Sequence, residues 1–336
     1  MAATFLFAMN AILPIVLLIA LGVFLRKIHL IDQHFNNVLI KYVFRVGLPV
    51  LLFYNVYQIE SFDEINWDIV IYTTIATLLI FAIGIVIVKI FTKDDRQKGV
   101  VLQTAFRSNY ALTGIPLAEA IGGAAALKVV SLLAAFAIPL ANVLSVIALT
   151  MFQKNEFGER ISIKKMIQNI ISNPLIIAVF SGLFVLFLRS LLPTTIDGQP
   201  IFTLKNQLPF SVNFMKMISQ TASPMALIAL GGQFEISVVK PLLKQITLGV
   251  SLRILIVPAL TIFFAYLLQD RFTGLRESYP ALIALYGSPV AVSSAIMTQE
   301  MGGDEKLASQ LVVWTTTFSM FTIFITIVIL RSAGLI

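Results

Sequence analysis

The chain alternates long apolar runs with short polar segments over its whole length. A helix of about 20 apolar residues crosses the hydrocarbon core of a bilayer, so each long run predicts a membrane-spanning helix. We predict ten spans, which lie near residues 5–25, 36–57, 69–91, 99–121, 126–152, 170–192, 207–232, 243–268, 279–299 and 307–330. The fourth and ninth spans are the least uniformly apolar. The pattern predicts an all-α polytopic membrane protein.

The composition supports this interpretation. Of the 336 residues, 58% are apolar and 12% are charged, whereas about 25% of an ordinary soluble domain is charged. A soluble enzyme is therefore excluded. The net charge of +7 does not indicate nucleic acid binding, because the basic residues lie in short segments between apolar runs and form no continuous stripe.

The sequence contains few residues for catalysis or metal binding. It has no cysteine and two histidines, His29 and His34. It also lacks a Ser/His/Asp arrangement, an HExxH motif and a glycine-rich phosphate-binding loop. We therefore expect no enzymatic activity, no cofactor and no metal site.

Lysine and arginine are distributed unequally between the two sets of connecting segments. If the N-terminus lies outside, thirteen of them fall in inside loops and six in outside segments. Cytoplasmic loops of membrane proteins are enriched in basic residues. This bias predicts a multi-pass protein of the cell (plasma or inner) membrane with both termini outside.

The two halves of the chain align with each other at offsets that increase along the chain. The matching pairs are Pro14 with Pro174 and Gly22 with Gly182 at 160, Lys41 with Lys216, Pro49 with Pro224 and Glu60 with Glu235 at 175, and Ser108 with Ser288 and Gly122 with Gly302 at 180. A chance alignment of apolar helices is the alternative. Matched Lys, Glu and Pro residues weigh against it.

This alignment predicts two five-span repeats, residues 1–152 and 170–336, joined by a cytoplasmic linker over residues 153–169. An odd number of spans means that the second repeat enters the membrane from the opposite side. The repeats are therefore inverted, an arrangement that recurs in secondary transporters.

Spans four and nine are interrupted by Pro and Gly at corresponding positions. Residues 107–117 read RSNYALTGIPL, and residues 286–294 read YGSPVAVSS. Proline removes a backbone hydrogen bond and glycine loosens the helix, so both helices should be broken and should cross near the middle of the membrane. Free N–H groups at the broken ends suit a carboxylate. The alternative is a pair of kinks that only shape helix packing.

We predict that the substrate-binding residues lie at and beside this crossing. They are Arg107, Ser108, Asn109, Tyr110, Thr113, Gly114 and Pro116 of span four, Ser288, Pro289 and Ser293 of span nine, Asn142 of span five and Arg253 of span eight. Arg107 either supplies a counter-charge for an anion or extends to the inner interface. Arg253 is a functional candidate because it lies deep in a span. Asn142 either faces the cavity or makes an interhelical hydrogen bond.

Four other ionisable residues form two repeat-related pairs. Lys41 and Lys216 each precede a proline by eight residues, which fits scaffold gating or paired structural contacts equally well. Glu60 and Glu235 follow the ends of spans two and seven. We interpret them as solvated interfacial carboxylates, with proton coupling as the alternative.

The segment from Asn109 to Leu117, which has the pattern Asn-x-x-x-x-Gly-Ile-Pro-Leu, resembles the fourth-helix motif of the auxin efflux carrier family. That family includes plant PIN auxin exporters and bacterial transporters of malate, malonate and related acids. The resemblance implies ten helices in two inverted repeats, with helices 1, 2, 6 and 7 as a scaffold and the others as a mobile transport part. It also implies an elevator-like cycle with the carboxylate held where helices 4 and 9 cross.

The sequence thus predicts a secondary transporter of a small organic anion such as malate, malonate or an auxin-like acid. Two alternatives stay open: a sodium-coupled organic-anion symporter similar to bile-acid symporters, and a non-transporting receptor on the same fold. The expected partners are the carboxylate substrate, the lipid bilayer, protons or sodium, and a second copy of the chain in a homodimer. Nucleic acid is not expected.

Overall fold

The computed structural model describes residues 2–58, 66–153, 163–191, 204–272 and 274–336. This part of the chain is helical and contains no β-strand. Its main helices are α1 (Ala2–Lys27), α2 (Gln33–Tyr57), α3 (Trp67–Phe91), α4 (Asp95–Phe106), α5 (Tyr110–Thr150), α6 (Ile163–Ile171), α7 (Pro174–Leu191), α8 (Pro209–Gln233), α9 (Val239–Leu268), α10 (279–287), α11 (Val292–Glu300) and α12 (Glu305–Ser332).

Six of these helices are long and apolar enough to cross a membrane, namely α2, α3, α5, α7, α9 and α12. The protein is therefore a multi-pass membrane protein. The other predicted spans coincide with α1, with α4 and the first part of α5 together, with α8, and with α10 and α11 together. The number of ten spans and their inverted repeat stay predictions.

The lipid-facing character of the surface is clearest on α3. Five apolar side chains recur along one face of this helix and are about half exposed or more: Ile75, Leu79, Ile83, Val86 and Ile90. Their spacing of three to four residues places them in one stripe. An exposed apolar stripe of this length suits contact with lipid chains and not with water.

Three of the long helices contain a widened π-helical turn, and each such turn ends two residues before a proline. The pairs are Val43–Gly47 with Pro49, Tyr110–Gly114 with Pro116, and Leu252–Ile256 with Pro258. Proline cannot donate a backbone hydrogen bond, and its ring collides with the carbonyl four residues earlier. The wider turn accommodates the ring without ending the helix.

Close packing of α1 on α8 and of α2 on α7 depends on glycine. A Cβ atom on Gly22 of α1 would lie 2.1 Å from the carbonyl oxygen of Ile228, and one on Gly231 of α8 would lie 2.0 Å from the carbonyl oxygen of Ile19. On α7, a Cβ atom on Gly182 would lie 2.9 Å from the Cβ atom of Val56. Helices α1 and α8 therefore pack backbone against backbone, and α7 packs closely on the Val56 side chain of α2.

One local feature differs from the predicted boundaries and another agrees with them. Helix α6 (Ile163–Ile171) occupies the end of the segment predicted as a linker, and residues 154–162 lie outside the described part of the chain. Within α5, Gly123 has a φ of 64° and divides the helix into two parts. The division falls between the predicted fourth and fifth spans.

Candidate functional site

The fourth and ninth predicted spans are both broken, and the breaks lie against each other. Helix α4 ends at Phe106 and α5 begins at Tyr110, while α10 ends at residue 287 and α11 begins at Val292. Between them, Ser108 and Val290 form an isolated antiparallel β-bridge. Two short extended segments therefore cross inside a bundle of helices.

Backbone hydrogen bonds hold the crossing together. The N–H of Asn109 donates to the carbonyl of Pro289 at 2.8 Å, and the N–H of Ala291 donates to the carbonyl of Arg107 at 3.3 Å. Unwound backbone inside a membrane is tolerated only where its polar groups find partners or line a polar cavity. Each segment supplies partners to the other here.

A small, partly open cavity of about 80 Å³ lies beside the crossing. Its walls come from both broken spans and from α2, α3, α5 and α8. The lining residues are Leu48, Leu51, Leu52, Thr77, Phe106, Arg107, Ser108, Asn109, Tyr110, Ala111, Leu112, Ala137, Ile138, Ala141, Asn142, Ser223, Ala226, Leu285, Ala291, Val292 and Ser293.

Half of the predicted substrate-binding residues line this cavity. These are Arg107, Ser108, Asn109, Tyr110, Asn142 and Ser293. The other six do not line it, namely Thr113, Gly114, Pro116, Ser288, Pro289 and Arg253. Two regions of the sequence that are far apart are thus brought to one cavity.

Arg107 places a positive charge at the cavity. Its side chain is buried and donates hydrogen bonds to Asn142 Oδ1 at 2.7 Å, to Ser293 Oγ at 3.0 Å and to the sulfur of Met297. All three acceptors are uncharged. Among the described residues, no carboxylate lies within 4 Å of the guanidinium. The charge is therefore solvated by neutral groups without a counter-ion.

Asn109 places an unused hydrogen-bond donor at the same cavity. The residue is 5% exposed, and its side-chain nitrogen has no hydrogen-bond partner within the described structure. Its backbone carbonyl is occupied, since it accepts from the N–H of Thr113 at 2.9 Å and from the Thr113 hydroxyl at 2.7 Å. The side-chain amide of this cavity residue therefore holds a donor that no described residue uses.

A comparison with protein-family models matches residues 7–327 to the family described as Membrane transport protein. The chain belongs to the auxin efflux carrier family. A search of the curated proteins finds no match. This family is a family of membrane transporters and not of enzymes, which suggests a membrane transporter.

The segment from Asn109 to Leu117, which resembles the fourth-helix motif of this family, has a structural basis in the crossing. A Cβ atom on Gly114 would lie 2.8 Å from the carbonyl oxygen of Ala284, so glycine allows the first turn of α5 to pack on α10. Pro116 follows the π turn at the start of α5. The Tyr110 hydroxyl donates to the carbonyl of Val130 at 3.0 Å. These residues shape the crossing behind Asn109.

Part of the cavity wall was not predicted from the sequence. Leu48, Leu51 and Leu52 come from α2, and Ser223 and Ala226 come from α8. Their signal in the sequence is weak, because they differ from other apolar or small residues only by being next to Pro49 and Pro224. Met297, which accepts from Arg107, likewise resembles an ordinary packing residue.

The other ionisable candidates among the described residues do not line the cavity. Lys41 and Lys216 are exposed, and Glu60 lies outside the described residues. Glu235 pairs with Arg26 at 3.5 Å and with Lys306 at 3.2 Å. The hydrogen bond from Lys306 is the main cause of a lowered pKa for the Glu235 carboxyl. No cluster of three or more His, Asp or Glu residues suited to a metal ion occurs in the described part of the carrier.

Proposed function

We propose that the protein is a secondary transporter of small organic anions in the cell membrane, with carboxylates such as malate, malonate or auxin-like acids as the substrate class. The observation that carries this proposal is the buried guanidinium of the cavity residue Arg107, whose partners among the described residues are all uncharged. A carboxylate in the cavity completes its pairing.

The physical basis is the cost of leaving a charge unpaired in a medium of low dielectric constant. A buried cation is stabilised when it is paired and hydrogen-bonded, and it is costly otherwise. Asn142 and Ser293 solvate the guanidinium but carry no negative charge. An anionic substrate supplies that charge, and the guanidinium in turn replaces water that the substrate leaves behind.

Two further donors support a carboxylate rather than a halide or a neutral solute. Asn109 lines the cavity, and its side-chain nitrogen has no hydrogen-bond partner within the described structure. Helices α5 and α11 begin at the crossing, so the positive ends of their dipoles lie at the same place. A planar carboxylate accepts hydrogen bonds at two oxygens, so it can use donors that come from different residues.

The proposed inverted repeat is supported by equivalent helix contacts. Gly22 of α1 packs on the Ile228 carbonyl of α8, and Gly182 of α7 packs near the Phe53 carbonyl of α2. Gly22 and Gly182 are 160 residues apart, and Phe53 and Ile228 are 175 apart, which are the offsets of the sequence alignment. The contact between α1 and α8 therefore has a counterpart in the contact between α7 and α2.

An elevator-type cycle is the motion that we propose for this arrangement. Helices α1, α2, α7 and α8 pack mainly on one another through their glycine contacts, as a scaffold would. The cavity lies between α2 and α8 of this group and the crossing of the broken spans. Displacement of the crossing along the scaffold would carry a bound anion with it. The basic-residue bias supports both termini on the outer side.

The test measures binding by the purified protein of malate, malonate and indole-3-acetate, each against its uncharged amide, by calorimetry or thermal shift. We expect at least one acid to bind and its amide not to bind. Arg107→Met should weaken that binding tenfold or more. Arg45→Met is the matched control, because Arg45 also lies in a π turn but is exposed and does not line the cavity.

Proteoliposomes distinguish transport from its alternatives. Uptake of the bound acid supports the transporter, and binding without uptake indicates a receptor. A strict sodium requirement would favour a sodium-coupled symporter, although no acidic side chain of the described residues lines the cavity. Failure of every acid to bind would overturn the proposed function.

A further inference from the structure

Arg253 occupies the interior of the crossing without lining the cavity. It lies in the π turn of α9 and is fully buried. Its Nε atom donates to the carbonyl of Ser288 at 2.9 Å, and its two terminal nitrogens donate to the carbonyls of Leu285 at 2.8 Å and Ala105 at 3.3 Å. One side chain thus contacts the backbone of both broken spans.

The carbonyl groups that Arg253 contacts lie at the C-terminal ends of two half-helices. Ala105 is in the last turn of α4, and Leu285 is in the last turn of α10. They are 180 residues apart, the offset that aligns this region of the two halves. The last four carbonyls of a helix have no partner within the helix. Arg253 therefore satisfies equivalent unpaired carbonyls on both sides of the crossing.

The charge of Arg253 matters as well as its hydrogen bonds. Each helix C-terminus carries a negative partial charge of about half an electron, so two such ends converge at the crossing. Among the described residues, no carboxylate pairs with Arg253. The guanidinium charge and the two carbonyl ends therefore offset each other.

We propose that Arg253 is a positioning residue: it holds the carbonyl ends of α4 and α10 together and neutralises them, so that an anion in the cavity meets only donor groups. This proposal rests on the proposed function. Phe106 and Leu285, which adjoin or bear the bound carbonyls, line the cavity. Removal of the charge would expose the anion to two negative helix ends at short range.

The test compares Arg253→Lys, Arg253→Gln and Arg253→Met in purified protein. The probes are malonate and its monoamide malonamate, which carry two charges and one. Arg253→Gln should raise the Kd for malonate tenfold or more and the Kd for malonamate only about threefold, because a lost field acts in proportion to ligand charge. Arg253→Lys should keep both values within threefold of the wild type. Arg45→Gln is the control and should change neither.

A merely structural role predicts a different result. Loss of packing would raise both dissociation constants by the same factor, and this outcome overturns the proposal. If Arg253→Lys loses malonate binding as completely as Arg253→Gln does, the proposal is also overturned. If neither Arg253→Gln nor Arg253→Met folds while Arg253→Lys folds and binds malonate, the charge is required for the crossing to assemble, which supports the proposal.

Ligand binding by the wild-type protein shows whether a negative result counts against the proposed function or only against the role of Arg253. Absence of malonate and malonamate binding by the wild type counts against the proposed function, and the role of Arg253 falls with it. Binding by the wild type that is unchanged in Arg253→Gln overturns the role of Arg253 alone.

Discussion

The backbone N–H of Asn109 donates to the carbonyl oxygen of Pro289, and the two residues are 180 positions apart, the offset that aligns this part of the two halves. Pro289 has no N–H group, so the reciprocal bond to the carbonyl of Asn109 cannot form. That carbonyl accepts from Thr113 instead. The crossing is therefore asymmetric, because Asn109 donates a backbone N–H and the equivalent Pro289 has none to donate.

Asn109→Ala should weaken carboxylate binding without unfolding the protein. The Asn109 amide is unpaired in the free protein, so its removal breaks no internal hydrogen bond of that group. A hydrogen bond to a charged ligand contributes about 1.5 to 3 kcal/mol, so Kd should rise tenfold or more. Calorimetry with malonate measures the change.

Asn213→Ala is the matched control for Asn109→Ala, because Asn213 lies on an exposed part of α8 and does not line the cavity. Its Kd should equal that of the wild type. Wild-type affinity in Asn109→Ala would show that the amide does not contact the substrate, and the Arg107 end of the cavity would then be the place to search.

The broken helices could be predicted because local chemistry determines them. Proline and glycine in residues 107–117 and 286–294 weaken a helix whatever surrounds it. The structure places the breaks at residues 107–109 and 288–291, within those segments. The alignment of the two halves at an offset of 180 residues predicts that the two breaks occupy equivalent positions.

Other parts of the site could not be predicted, because they depend on tertiary packing. Arg253 was a candidate for substrate binding, yet its partners are backbone carbonyls, which every residue has and which leave no mark in the sequence. The π turns depend on how each helix accommodates a proline. Leu48 and Ser223 line the cavity only because α2 and α8 pack beside the crossing.

Gly231→Ala should destabilise the packing of α1 on α8. An added Cβ atom would lie 2.0 Å from the backbone oxygen of Ile19, so one helix must shift. Overpacking of this kind costs about 1 to 3 kcal/mol. Thermal unfolding of the detergent-solubilised protein should show a lower Tm.

Gly287→Ala is the comparison for Gly231→Ala, because its added Cβ atom would meet Ile283 at an ordinary 3.5 Å. Its Tm should fall less than that of Gly231→Ala. An equal Tm for Gly231→Ala and the wild type would show that α1 and α8 do not approach as closely as the structure has them.

The ion pairs of Glu235 should stabilise the protein at neutral pH but not in acid. The folded-state pKa of this carboxyl is lowered, mainly by Lys306 and further by Arg26. The contribution is therefore present above the ordinary value of 4.5 and is lost as pH falls below it through the lowered pKa. Partly exposed pairs contribute about 0.2 to 1 kcal/mol.

Glu235→Gln tests this pH dependence. The Tm of the wild type should exceed that of the variant at pH 7.5, and the difference should vanish as pH falls well below 4.5. Glu305→Gln is the control, since Glu305 makes no ion pair among the described residues. A Tm difference that persists in acid would assign the effect of Glu235 to packing and not to charge.

Cysteine labelling should place the C-terminus and the segment before α4 on opposite sides of the membrane. Arg96 contacts the carbonyls of Gly302 and Gly303, so α12 starts beside α4. Helix α12 has 28 residues and is about 42 Å long, enough to cross the bilayer. In this cysteine-free chain, Lys93→Cys and Ala333→Cys should react with an impermeant maleimide from opposite sides.

Lys240→Cys provides the same-side comparison for Lys93→Cys. Lys240 begins α9, close to Glu235, which pairs with Lys306 at the start of α12. Positions 93 and 240 should therefore be labelled from one side, the inner side by the basic-residue bias. Labelling of Lys93→Cys and Ala333→Cys from the same side would contradict the proposed topology.

Gln299 of α11 contacts both α2 and α8 of the proposed scaffold, so a bridge at this point should stop the proposed elevator motion. Its amide oxygen accepts from Gln233 of α8 at 2.7 Å, and its nitrogen donates to Asn37 of α2 at 3.2 Å. These bonds must break if α11 moves along the scaffold. Cysteines at Asn37 and Gln299, joined by a short bis-methanethiosulfonate reagent, should reduce malonate uptake to the level of protein-free liposomes.

Reduction of the bridge between positions 37 and 299 should restore uptake, since both new bonds are disulfides. The control joins Tyr42→Cys and Thr221→Cys, whose native hydroxyls are 3.1 Å apart and lie on α2 and α8, both within the proposed scaffold. That bridge should leave uptake unchanged, because it connects helices that do not move relative to each other. Full uptake with the bridge between positions 37 and 299 in place would show that α11 stays fixed to the scaffold, and a channel with a single access path would then describe the protein better.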